Sequence, residues 1–397
     1  MTSNVRRDLP TGFNYLKLDS LLNDRQQELR AQVRTWAERY VLPAINEYWE
    51  RAEFPKEIAL SLRDLPIMGG LLSGYGCSGL DWLEMGLVVY ELARADGSMT
   101  TFYSVHSGLA MGSIGLLGSE EQKARWLPGM AKLELIGAFG LTEPMQGSNA
   151  AAVETSARLA GNEYILNGAK RWIGNAAIAD VLIIWARDEA GRFGGFVIEA
   201  PQQNRGLHIE NLRGKVAKRA VHNAQITLND ARVPVENRLV FAKSFRDVSH
   251  VLTRGRYVVA WEAAGAAAGA FEYALQYAQE REQFGKPIAS FQLVQQKLVD
   301  MATEVSLMQL LCFQLARLME AGQATDGMIA MAKYNNARKA RLVTQLAREV
   351  MGGNGILIEN HVARLWTDAE VMYTYEGTNE INLLLIGRDL TGFNAFV

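Results

Sequence analysis

Cysteine is nearly absent: the 397 residues contain two, Cys77 and Cys312, far apart and in no metal-like or redox-like spacing. That excludes a disulfide framework and leaves both thiols to be read as small buried hydrophobes. Histidine is sparse as well, and His106, His208, His222, His250 and His361 are scattered, none paired at i, i+4 with a second ligand. No zinc or iron site is expected from them. The formal net charge is −2 and no basic tract occurs, so neither nucleic acid nor an anionic membrane is an expected partner. The most apolar region, VVAWEAAGAAAGAFEYALQYA, is interrupted by Glu262 and Glu272, which suits a tightly packed helix of a soluble protein better than a membrane span. No apolar signal core follows the arginines of MTSNVRRDLPTGFNY, and the ending NAFV is not a peroxisomal address. The expected location is cytoplasmic.

What is present is ordinary globular composition, 49% hydrophobic and 21% charged, in a chain too long for one core. Three textures divide it. Residues 1–136 carry helical spacing, as in DRQQELRAQVRTWAERYVLPAINEYW, punctuated by Pro43, and in SEEQKARWLPGMAKLE, which Ser119 opens as a cap. Residues 137–245 change period to short β-rich runs bounded by turn residues, with Asn167-Gly168 a hairpin signal. From 246 to 397 the helical period returns in three long amphipathic stretches and a shorter one. The predicted fold is α+β, mainly α: an N-terminal helical domain, a central antiparallel β domain and a C-terminal four-helix bundle.

Several short stretches are odd for a scaffold. In FGLTEPMQGSN (139–149) the hydroxyls of Thr142 and Ser148, with amides freed near Gly140 and Gly147, could grip a polar planar ligand and a phosphate. KRWIGN (170–175) sets Gly174 inside a β run, where a glycine often marks a close approach. Arg281 in EREQFGKPIASFQ suits phosphate or carboxylate, and REVMGGNG (348–355) offers bare backbone. MYTYEGTNEINLLLIGR (372–388) places Glu376 between a tyrosine and a glycine ahead of an apolar run. A plain turn, with Thr378 or Asn379 capping the next helix, is the bland reading of that glutamate.

In this order and at these separations, from near residue 20 to the end, the motifs resemble the acyl-CoA dehydrogenase family. The resemblance implies FAD as cofactor, an acyl-CoA substrate of fatty acid metabolism, an electron-transfer flavoprotein as acceptor and a homotetramer or dimer. It implies that Phe139, Gly140, Leu141, Thr142, Trp172, Ile173 and Gly174 flank the flavin, that Ser148 contacts FAD and CoA, and that Thr378 contacts FAD. Arg281, Gln292, Glu349, Val350, Met351, Gly352 and Gly353 would hold the FAD of a neighbouring subunit. Glu376 falls on the catalytic base that takes the α-proton while the β-hydride goes to flavin N5. Gly377 would lie beside the thioester, and Arg256 near bound CoA.

Within the family, EREQFGKP, MGGNGI and YTYEGT look most like glutaryl-CoA dehydrogenases, which pair an arginine with the distal carboxylate. That arginine's place falls on Thr100, with Thr101 after it, so the expected chain is neutral, short or branched. KRWIGN, DVLIIWAR and VHSGL resemble plant short-chain acyl-CoA oxidases, and Gly174 removes a hydroxyl near flavin N5, leaving room for oxygen. Oxidase activity is therefore the alternative, and a non-catalytic scaffold the third reading. Asn149 and Glu349 are small departures from the family pattern.

Overall fold

Asn23, Asp81 and Ser119 each close a reciprocal capping box, satisfying orphan amide donors at three helix starts. The computed structural model describes residues 12–396. Its N-terminal third comprises α1 (Asp24–Trp36), α2 (Ile45–Arg51), α3 (Lys56–Leu60), α4 (Trp82–Ala95), α5 (Gly97–Tyr103), α6 (Met111–Leu117) and α7 (Glu120–Ala131). Pro43 lies in the break between α1, with its π-helical tail Ala37–Val41, and α2. A second π-helical segment, Ser104–Ala110, joins α5 to α6.

The middle third is β1 (Gly137–Gly140), β2 (Ser156–Ala160), β3 (Glu163–Gly174), β4 (Val181–Asp188), β5 (Phe193–Glu199), β6 (Leu207–Asn211) and β7 (Asn223–Pro234). They form one seven-stranded sheet ordered β1-β4-β2-β3-β7-β6, with β5 on β4. Pairing is antiparallel except where β1 and β2 run parallel to β4. The Asn167-Gly168 signal does not make the hairpin. That pair sits inside β3 at a register shift, and β2 turns into β3 at Gly161–Asn162 instead. Gly168, at φ 148°, is needed because any Cβ there would press on Thr155, so close approach rather than turning accounts for the glycine.

The last third is α8 (Phe245–Glu280), a small hairpin of β8 (Glu282–Gln283) and β9 (Lys286–Pro287), then α9 (Gln292–Glu320), α10 (Asp326–Val350), α11 (Val362–Met372) and α12 (Asn379–Thr391). The alanines and glycines of α8 have a packing cause. A Cβ on Gly265 or Gly269 would overlap the carbonyls of Tyr90 or Arg94, so α4 and α8 approach backbone to backbone. A helical glycine costs about 1 kcal/mol relative to alanine, which this close packing offsets. Residues at the start of α4 and along α8 line one side of a large cleft, and the C-terminal ends of β1 and β3 line another.

Candidate active site

The cleft holds about 1330 Å³ and is bounded by the β domain, the α5–α6 junction and the first turns of α8, with residues 370–385 on the remaining side. Glu376 lines it from the turn between α11 and α12. The turn is stiff for identifiable reasons. Thr378 caps α12 by accepting from the Ile381 amide at 3.3 Å. Lys333 Nζ from α10 donates to the Gly377 carbonyl at 2.8 Å and to Asn379 Oδ1 at 3.0 Å, and Asn382 Nδ2 reaches the same carbonyl at 2.8 Å. Glu376 itself takes a left-handed conformation, φ 53°, and Gly377 follows at φ 79°. A residue with a β-carbon pays about 1–2 kcal/mol for that geometry, which the surrounding bonds must hold in place.

The carboxylate lines the cleft and forms no ion pair among the described residues. Its Oε2 is sealed from solvent and has no hydrogen-bond partner among the described residues. Burial pushes its pKa up to about 7, against the pull of Arg256 and Lys333 and with the push of Glu262. Room for it comes from Gly255 on α8, where any Cβ would overlap Oε2. The amides of Glu376 and Gly377 donate to no described acceptor.

Of the other predicted residues, Phe139, Leu141, Thr142, Ser148, Trp172, Ile173, Gly174, Thr101, Arg256, Gly377 and Thr378 all line the same cleft. Gly140 does not; it sits behind the wall, where a Cβ would meet Ile184 at 2.8 Å. Thr100 does not line it either. That side chain is fully buried and its hydroxyl donates to the Asp96 carbonyl at 2.9 Å, because the helical phase of α5 turns Thr101 inward instead. Arg281, Gln292, Glu349, Val350, Met351, Gly352 and Gly353 lie outside this chain's cleft. Glu349 is engaged by Lys297 at 2.6 Å, while Val350 and Met351 are buried in the bundle core. Gly174 lines the cleft, and a Cβ there would stand 3.1 Å from Val105 Cγ2.

Sequence reasoning missed Gly255, Lys333, Asn382 and Lys218, and took Glu262 only as an interruption in an apolar stretch. Gly255 carried a usable signal, since a glycine inside a helical pattern asks for a packing or functional reason. Lys333 carried none, because its partners on the turn, 44 and 46 residues away, are brought near only by the fold, and Asn382 reads locally as an ordinary polar residue of the first turns of α12.

A flat heterocycle fits the β side of the cleft. The Thr142 and Ser148 hydroxyls donate to no described residue, and the Trp172 indole, 55% exposed with φ 65°, stands at its edge. The family models for the N-terminal, middle and C-terminal domains of acyl-CoA dehydrogenase match residues 23–134, 138–231 and 245–391. The chain belongs to the acyl-CoA dehydrogenase family. It is 35% identical over 374 residues to a probable acyl-CoA dehydrogenase of Bacillus subtilis, covering 93% of this chain and 98% of that one. A glutaryl-CoA dehydrogenase of Mycobacterium smegmatis, solved in complex with FADH2, superposes with a TM-score of 0.94 at 36% identity, covering 97% and 99% of the two chains. A chain in a structure of the electron-transferring flavoprotein of Acidaminococcus fermentans aligns with a TM-score of 0.89 at 31% identity, covering 93% and 98%. Membership of this family makes the reaction class the dehydrogenation of an acyl-CoA.

Proposed function

We propose that the protein converts an acyl-CoA thioester to its trans-2-enoyl-CoA, with Glu376 as the base that removes the α-proton. One arrangement carries this reading: an unpaired carboxylate, one oxygen sealed and without a hydrogen-bond partner among the described residues, whose pKa burial pushes up to about 7, at the wall of a cleft large enough for two ligands. General bases work best with a pKa near the working pH. An acyl chain that expels the remaining water raises the basicity of Glu376 further. The free amide of Glu376 would donate to a thioester oxygen, where each donor to developing negative charge is worth roughly 3 kcal/mol. Bound FAD supplies the acceptor for the hydride that leaves the β-carbon. Phe139, Leu141, Thr142, Ser148, Trp172, Ile173, Gly174 and Thr378 would hold it from this chain, and Arg256 would face the CoA portion.

A homotetramer, with an electron-transferring flavoprotein as electron acceptor, completes the proposal. Residues 281–292 and 349–353 lie outside their own chain's cleft, and the exposed Phe284, 93% accessible, and Leu293 mark that region as a surface to be covered. The chain of the substrate is proposed as neutral, short or branched, supported by Leu71, Met85, Val258 and Val259 along the cleft. Arg254 is the residue that could favour an anionic tail: it lines the cleft over Trp82, 5.9 Å from the ring centroid, with no carboxylate partner among the described residues.

The test is anaerobic mixing of the yellow protein with a panel of alkyl, branched and dicarboxylic acyl-CoAs, followed by air. Glu376→Gln should bind FAD and thioester yet reduce its flavin at least about 10³-fold more slowly. An unchanged rate in that variant overturns the assignment of the base. Faster bleaching by the dicarboxylic thioester overturns the neutral chain, and rapid recolouring in air with stoichiometric peroxide overturns the dehydrogenase reading in favour of an oxidase.

A further inference from the structure

Beside the base lies a closed ring of buried polar groups drawn from all three parts of the fold. Lys218, in the β6–β7 loop, donates through Nζ to Thr101 Oγ1 on α5 at 2.8 Å and to Tyr375 Oη at 2.6 Å, and is ion-paired with Glu262 on α8. Tyr375 Oη in turn donates to the other oxygen of Glu262. The side chains of Lys218 and Glu262 are 4% and 3% exposed, so this is an interior pair. Every ammonium donor is used and both carboxylate oxygens are answered. The Lys218 amide is itself tied to Asp368 Oδ1 on α11 at 2.5 Å. The three ring residues and Thr101 all line the cleft.

Burying an ion pair is a poor way to add stability, since apolar replacements of similar volume are often as good or better. The ring's location suggests another use. Tyr375 immediately precedes Glu376, whose left-handed backbone needs restraint. Lys333 and Asn382 restrain the turn from behind through the Gly377 carbonyl. The ring restrains it from the opposite side, through the phenol.

We propose that Lys218, Glu262 and Tyr375 act as positioning residues, a clamp that fixes the Glu376 turn and balances the charge felt by its carboxylate. The proposal rests on Glu376 being the base. The charged groups that act on that carboxylate are Arg256 and Glu262 from α8 and Lys333 from α10, while Asp326 of α10 pairs with Arg256 and Lys218 of the β6–β7 loop pairs with Glu262. Arg388 and Glu380 of α12 lie beyond Arg256 and Lys333, and Asp368 of α11 lies behind Tyr375. Glu262 pushes the proton affinity of Glu376 up, and Lys218 is the cation paired with Glu262. Removing either member of the pair therefore exposes the other.

The experiment is the pH dependence of kcat/KM for flavin reduction in the FAD-loaded enzyme, using whichever thioester reduces the wild type fastest. Glu262→Gln should move the acid limb to lower pH and Lys218→Met should move it to higher pH, each by about one unit. The double variant should return it close to the wild-type position, and Lys218→Arg should rescue it. Tyr375→Phe, which keeps the packing, should lower kcat about tenfold with KM little changed and the limb in place. Limbs that stay fixed, or that move the same way in both charge variants, overturn the charge balance. Should the charge variants emerge without flavin, Tyr375→Phe decides alone, and an unchanged kcat overturns the clamp. Failure of the base assignment is read separately, as persistent activity in Glu376→Gln.

Discussion

Of the glutamates that line the cleft, Glu143 and Glu376 could hardly be treated more differently. Glu143, in the loop after β1, accepts from the amides of Glu154 and Thr155 at 2.7 and 2.9 Å and from Lys170 Nζ at 2.8 Å. Burial alone would raise its pKa, but the Glu154 amide and the Lys170 ammonium hold it below the usual carboxylate range. Glu376 is given none of these partners, and burial carries its pKa up to about 7. The contrast teaches that seclusion by itself does not make a base. A buried carboxylate that is fully answered is a rivet, and one left unanswered is a reagent.

Breaking the rivet should show up first as lost stability. Glu143→Gln leaves Lys170 buried with its charge unpaired, a change expected to cost about 3 kcal/mol. Denaturant unfolding checks the loss, and the loop 139–149 should release FAD more readily. The acid limb of kcat/KM should stay where it is, because Glu143 does not exchange the substrate proton. A limb that moves with Glu143 would erase the distinction between the two carboxylates.

How much of this contrast was legible in the sequence follows from what each feature depends on. Periodicity and caps placed the helical, β and helical thirds, since Ser119 and Thr378 act through neighbours three residues away. Glu376 could be singled out because Tyr375 and Gly377 flank it in sequence. Thr100 was misjudged because one residue of helical phase decides whether a hydroxyl faces the cleft or the Asp96 carbonyl. Asn167-Gly168 misled because the glycine serves contact with Thr155 rather than a hairpin. The Lys218–Glu262 pair joins residues 44 apart, and nothing local to either predicts the other. Turn chemistry is short-range and therefore written in the sequence. The field around a buried charge is assembled by tertiary packing and is not.

A smaller effect sharpens the comparison from the side of the base. Glu376 has room only because position 255 lacks a β-carbon. Alanine there should turn the carboxylate away from the substrate while leaving α8 intact, since alanine is the better helix former. The expected result for Gly255→Ala is a roughly thirtyfold fall in kcat/KM, about 2 kcal/mol of transition-state stabilisation, with FAD retained. Stopped-flow flavin reduction measures it. A variant that keeps its full rate would mean that the carboxylate works from a different rotamer.

The smallest effect concerns stability, and its sign separates the two glutamates. A carboxyl whose pKa is raised on folding contributes its full stability below the unfolded value, where both states are protonated. That contribution is lost as pH rises through the folded value, here about 7, because the unfolded chain ionises freely while the folded one resists. Glu376→Gln removes the ionisable group and should match the wild type at about pH 4, below the unfolded value. At pH 8 it should be more stable by about 1–2 kcal/mol, a figure reduced from the full shift because the cleft admits water. Glu143→Gln should show the opposite trend, its deficit shrinking as pH falls through the depressed pKa of the native carboxylate. Thermal unfolding of the flavin-loaded variants at the two pH values measures both. A gain for Glu376→Gln that is equal at about pH 4 and pH 8 would mean that the carboxylate is not destabilised by its surroundings, and the poise that equips it as a base would have to come from bound substrate alone.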